Sequence, residues 1–239
     1  PEKKTRIISE EEKRVIAYHE SGHAILSYVL PHTDPIHKIS IISRGRALGY
    51  VITLPEEDRF LKSKRELLDN ITQLLGGRVS EEMNFNDITS GAQNDLDRAT
   101  KITRKMITEY GMSEKLGPVT FKGEEDEEVF LGKEIASRPH YSNEIASAID
   151  KEVHNIIMDS YDRAKKILLE NKETLNDLAN ELIKKETLSR EEILKILSKV
   201  KSKKRKRVQR VSAKSGISRT TDRKGSAIKK KVTKSVDKK

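Results

Sequence analysis

Residues 9–31 read SEEEKRVIAYHESGHAILSYVLP, and this stretch decides the fold. Ser9 followed by three glutamates is a capping box: the serine hydroxyl can accept an amide of the first turn while Glu12 reaches back to the serine N–H. From Lys13 to Leu30 apolar residues recur at helical spacing, and Pro31, which would cost a backbone hydrogen bond inside a helix, ends the run. The stretch predicts a helix that begins at Ser9, stops before Pro31 and carries His19, Glu20 and His23 near its middle.

Those three residues fit H-E-x-x-H, a pattern with a mechanical basis. Positions i and i+4 of a helix face the same way, so the imidazoles of His19 and His23 can converge on one ion, and zinc suits them. Glu20 is too close to the first ligand to be another in the usual geometry, but it can reach an attacking water and accept its proton, then pass it to a leaving amine. The pattern lies mid-helix, as the chemistry requires, and Ser21 and Gly22 are small enough to leave the metal face uncrowded. A catalytic zinc usually takes three protein ligands, and spacing leaves the third open among Glu81, Glu82, Asp87, Asp95 and Asp97. Leu26 and Val29 stand where the extended motif with a third histidine would need glycine and histidine. His32, His37, His140 and His154 have no ligand-like spacing and read as surface or packing residues.

Beyond Pro31 the pattern changes. IHKISII from Ile36 and GYVITL from Gly49 are β-branched and roughly alternating, which predicts a hairpin around the glycine-containing turn SRGRAL. KSKRELLDNITQLLGGRVSEEM returns to helical periodicity, with Gly76 and Gly77 where a helix could either end or pack closely against a neighbour. A loop, a cap near Thr89 or Ser90 and a helix reaching Gly111 as its left-handed stop come next. From Met112 to Pro139, with β-prone VTF and VFLG and the acidic run EEDEE, irregular structure is expected. A long amphipathic helix from Ser142 to Glu170, a second near Thr174 to Lys185, and a short one opened by the capping box of Ser189 and Glu192 complete the reading. The fold class is mainly α, a helical zinc peptidase domain with a small β-hairpin or sheet.

Composition sets the limits. Lys201 to Lys239 carries 17 Lys and Arg against two acids, a surplus of 15, whereas the residues before it carry 31 against 36. This arm has no aromatic residue and no run able to bury an apolar face, the composition of a disordered tail. The expected organisation is a linker over 1–8, a peptidase domain over 9–199 and a basic tail over 200–239. No stretch reaches the roughly 18–20 apolar residues of a membrane helix, so the piece reads as a soluble domain. The absence of cysteine excludes disulfides and thiolate ligands. The start at Pro1 rather than Met suggests a chain that is either processed or part of a longer one.

AYHESGHA, KISIISRGRALGYVITLPEED, LLGGRVSEE, TSGAQNDLDRAT and YGMSEKLGP, in that order, resemble the peptidase domain of the FtsH family, membrane-anchored ATP-dependent zinc proteases. The likeness runs from about Ser9 to Leu197. It implies zinc as cofactor and Asp95, in the family's N-D-[LI] motif, as third ligand, with second-helix carboxylates such as Glu82 the runner-up, structural or orienting a histidine. It implies that the strand Gly49, Tyr50, Val51, Ile52 and Thr53 is an edge beside the metal cleft, to which unfolded or membrane protein substrates add as a further strand. It also implies a homo-hexamer, a membrane anchor in preceding segments and a cytoplasmic position for this domain. ATP enters only through a separate ATPase domain, since no G-x-x-x-x-G-K-[ST] loop occurs here. The alternative reading is a non-catalytic scaffold whose basic tail binds nucleic acid or anionic lipid; without stacking aromatics, such binding would be independent of sequence.

Overall fold

The computed structural model describes residues 9–43, 48–55, 61–121 and 141–200. Helix α1 spans Glu10–Val29 and begins as its capping box dictates: Ser9 Oγ accepts the Glu12 N–H at 3.1 Å, and the Glu12 carboxylate accepts the Ser9 N–H at 3.1 Å. It ends ahead of Pro31, where Thr33 Oγ1 donates to the last-turn carbonyls of Ser27 and Leu30 at 2.8 and 2.9 Å. Between Arg14 and Pro31 the one charged residue is Glu20. The helix is accordingly buried on every side from Ile16 to Ser27 rather than along one stripe. The fold is built around it.

The predicted hairpin forms from β1 (Ile36–Ser40) and β2 (Tyr50–Thr53), antiparallel, with Ile39 opposite Val51 and Ser40 opposite Tyr50. Between Ile36 and Lys38 the register shifts, so His37 forms a bulge that adds local twist. A third strand, β3 (Thr187–Ser189), pairs with the other side of β1 and gives the order β2-β1-β3. Sequence reading took this segment only as a helix cap. Three residues carry no alternation, and β3 is specified by its partner: Leu188, fully buried, opposes Ile39. The mainly α class with a small sheet is borne out, the sheet having three strands rather than two among the described residues.

The run from Lys64 breaks into α2 (Lys64–Leu74) and α3 (Gly76–Phe85). The break falls at Leu75, and the two glycines open α3 and permit close packing. A Cβ on Gly76 would lie 2.7 Å from Leu26 Cδ1 and 3.0 Å from the Gly22 carbonyl oxygen, and one on Gly22 would lie 2.4 Å from the Gly76 carbonyl oxygen. Here α1 and α3 meet backbone to backbone. Gly22 thus serves the contact with α3, where the sequence reading had it clearing the metal face.

Thr89 caps a single 3-10 turn (Ser90–Ala92) that leads into α4 (Gln93–Thr108), and Gly111 adopts the left-handed conformation expected of it, φ +58°. Then come α5 (Asn143–Glu170), N-capped by Ser142, α6 (Lys172–Lys185) and α7 (Arg190–Leu197), where Glu192 accepts the Ser189 N–H at 2.9 Å. The largest core cluster gathers Ile25 and Leu26 of α1, Ile39 of β1, Leu168 of α5, Leu175, Leu178 and Leu182 of α6 and Leu197 of α7. A second joins α2 to α4 through Ile71, Leu75 and Met106. Burying such side chains contributes about 1.5–3 kcal/mol each, so α1 is held from several directions. No helix among the described residues is long and apolar enough to cross a membrane. The expectations for the linker over 1–8, the centre of the turn SRGRAL, the runs EEDEE and VFLG, His140 and the basic arm lie outside the described residues.

Candidate metal centre

Four helices bring the site together. α1 supplies His19 and His23; α4 supplies Asp95 from its first turn, where an acid also complements the helix dipole. The Nε2 atoms of the two histidines are 3.1 Å apart, and Asp95 Oδ2 lies 3.3 Å from the first and 3.2 Å from the second. Among the described residues, His19, His23 and Asp95 form the one cluster of potential metal ligands.

The opposite faces of both rings are engaged. His23 Nδ1 is 2.8 Å from the Gln73 carbonyl oxygen, which can only accept, so the proton of a neutral His23 sits on Nδ1 and the lone pair on Nε2. His19 Nδ1 lies 2.6 Å from Glu81 Oε1, which favours the same tautomer. Two lone pairs and a carboxylate oxygen then face one another across 3.1–3.3 Å, which is repulsive unless positive charge lies among them. A proton on His19 is one solution. Burial opposes it, but the carboxylates of Asp95 and Glu81 outweigh burial and push the His19 pKa up to about 9. Burial likewise raises Asp95, and the two histidines more than reverse this, holding it well below the usual carboxylate range. A divalent cation is the other solution, and the donor set fits zinc: arms of about 2.0–2.1 Å in a tetrahedron place ligand atoms about 3.3 Å apart.

Glu81 was among five carboxylates left open by spacing and was not singled out; Glu82 was. The structure separates these neighbours. Glu81 is buried on the α1 side of α3, holding His19 through Oε1 while Oε2 accepts the Thr89 N–H at 2.8 Å, and these bonds lower its pKa against the effect of burial. Glu82 points toward α5, where it accepts from Tyr161 and from Lys165 Nζ at 2.8 Å, so it ties two helices together and does not touch the histidines. Asp87 and Asp97 are exposed. The fold, not the residue order, separates Glu81 from Glu82: a Cβ on Gly77 would stand 2.3 Å from His19 Cε1, so the position one turn later on α3 also faces that ring.

Glu20 is buried, and burial raises its pKa against the opposing pull of His23 and His19. Gly49, just ahead of β2, passes over its carboxylate so closely that a Cβ would lie 2.6 Å from Glu20 Oε1. Tyr50, Val51, Ile52 and Thr53 are half-buried, and among the described residues β2 has one strand neighbour, β1, which leaves its other edge open. Of the other histidines, His32 binds the buried Asp69 at 2.8 Å, while His37 and His154 are exposed.

A buried H-E-x-x-H helix joined by an aspartate from a later helix defines a metallopeptidase class of site, and the comparison with known families agrees. The chain belongs to peptidase family M41, whose family model matches residues 6–196. It is 52% identical over 198 residues to an ATP-dependent zinc metalloprotease FtsH 1 of Thermoanaerobacter sp. (strain X514), covering 83% of this chain and 32% of the relative. The FtsH of Thermotoga maritima is 52% identical over 199 residues, 83% of this chain and 32% of that one. The FtsH of Endomicrobium trichonymphae is 45% identical over 236 residues, 99% of this chain and 36% of the relative. The chain spans about a third of the length of the curated relatives it matches.

Proposed function

We propose that this chain is the zinc endopeptidase domain of an ATP-dependent protease, with His19, His23 and Asp95 as metal ligands and Glu20 as proton carrier. The observation that carries it is the triangle of Nε2, Nε2 and Oδ2 atoms with 3.1–3.3 Å edges, two of whose members have their protons fixed on the far side of the ring. When bound, zinc supplies Lewis acidity toward a peptide carbonyl and toward water. The chain's own residues do the rest. Glu20 takes the proton of the attacking water as its oxygen bonds to the carbonyl carbon, and returns a proton to the amine nitrogen as the C–N bond breaks. Glu81 and the Gln73 carbonyl orient the two imidazoles, and β2 offers its open edge to an extended substrate chain.

The names of the relatives support zinc and ATP dependence; the family resemblance extends the proposal to an attached ATPase that feeds unfolded or membrane protein substrates, six copies in a ring, and a membrane anchor elsewhere in the chain that keeps this domain on the cytoplasmic side. The peptidase domain in this reading is residues 9–199. No observation favours the scaffold alternative.

Elemental analysis of purified protein tests the metal assignment. About one zinc per chain is expected, and Asp95→Ala should weaken retention by at least tenfold against a chelator. A wild-type chain that takes up no zinc on reconstitution would remove the basis of the proposal. The substrate strand has its own test. Gly49→Pro and Val51→Pro should each abolish turnover of an unfolded peptide with zinc still bound, and unimpaired turnover in both would reject the open edge as the binding site.

A further inference from the structure

The carbonyl that orients His23 belongs to the last turn of α2, where the backbone N–H that reaches it, from the cap residue Leu75, is shared with the Ile71 carbonyl. A shared donor leaves room for a further group to fix the direction of the Gln73 peptide. Its own side chain is that group: Gln73 Nε2 donates to Ser27 Oγ at 2.7 Å. Ser27 is fully buried and lies four residues after His23, one turn along the same face of α1. Gln73 thus grips α1 twice, its main chain at His23 and its side chain at Ser27, 50 and 46 positions away in the sequence. The far end of this turn is fixed as well, because the Ser27 carbonyl accepts from Thr33 Oγ1 at 2.8 Å.

We infer that Gln73 is a positioning residue of the metal centre: anchored on Ser27, its side chain holds its own carbonyl against His23 Nδ1 and so keeps His23 Nε2 turned toward His19 and Asp95. The inference rests on the zinc reading above. Asparagine would be too short to reach Ser27, and leucine would fill similar space without a donor. The carbonyl survives either substitution, so the loss is of direction, not of the acceptor. Outer partners of metal-bound histidines change affinity by about 10–100-fold when removed, and a partner one bond further out should change it by roughly three- to tenfold.

The test uses the whole chain and zinc chloride in competition with a chelator. Gln73→Leu and Ser27→Ala should each weaken zinc binding by about three- to tenfold, and the double variant by no more than the stronger single, because both remove one bond. In imidazole proton–nitrogen spectra of the zinc-loaded chain, the His23 Nδ1 proton should exchange faster with solvent in both variants, a change that a merely structural role would not cause. Gln73→Glu, which can accept from the Ser27 hydroxyl, should restore slow exchange. If the wild type binds zinc and neither single variant weakens it or alters His23 exchange, Gln73 is a packing residue and the inference fails, even where melting temperatures fall. If the wild type binds no zinc, the metallopeptidase reading fails first.

Discussion

Glu20→Gln is expected to lower hydrolysis of an unfolded peptide by roughly 10²–10⁴-fold while leaving zinc content unchanged, the range typical of a lost general acid–base group. The two halves of this expectation have separate causes. Zinc stays because Glu20 is not among the three converging ligand atoms, and because an amide occupies the space of the carboxylate beneath Gly49 without steric change. Activity goes because the amide cannot accept the water's proton. Burial raises the pKa of the native carboxylate, which makes it a stronger base for that transfer than an exposed glutamate. A Glu20→Gln protein that still turns over substrate at more than a tenth of the native rate would take the proton-carrier role away from this residue.

Gly77→Ala should be nearly as damaging by another route. The added Cβ would sit 2.3 Å from His19 Cε1, 2.4 Å from Nε2 and 2.6 Å from Cδ2, all far inside van der Waals contact. The ring cannot retreat, since Glu81 on the same helix holds its Nδ1 at 2.6 Å. Nor can α3 move out without opening the backbone contact of Gly22 with Gly76. The expected result is zinc binding weakened by about 10–100-fold with helical content preserved, measured by chelator competition and circular dichroism. Gly117→Ala serves as control: its φ of +75° strains any other residue, but nothing lies within 4 Å, so it should cost about 1–2 kcal/mol of stability and leave zinc affinity alone. Native zinc affinity in Gly77→Ala would mean that the contact between α3 and His19 is far more yielding than its geometry implies.

How much of this was legible beforehand depended on whether the information was local. Both ends of α1 were, because a capping box and a proline act within one turn, and so was the pairing of His19 with His23, which needs only the helical repeat. The hairpin was legible for the same reason: its partners are neighbours in the chain. The division of labour between Glu81 and Glu82 was not. Adjacent helical residues point about 100° apart, and which of them meets α1 is set by the close approach of Gly77 rather than by the glutamates. The Gln73 carbonyl was invisible as well, since backbone groups leave no trace in residue identity and this one is exposed only because the helix breaks at Leu75. Asp95 stood between these cases. Spacing left five candidates, and the family resemblance, not the arithmetic of the chain, pointed to one.

The strand order β2-β1-β3 has a consequence for how the protein comes to be made. β1 pairs on one side with a strand about a dozen residues away and on the other with Leu188 and its neighbours, which are synthesised roughly 150 residues later. Until that later segment emerges, the hairpin has, among the described residues, two bare edges, each a template for pairing with another nascent chain. Contacts of such long sequence separation also close slowly. Self-association should therefore be most acute in chains truncated just before Thr187, where one of those edges can never be covered.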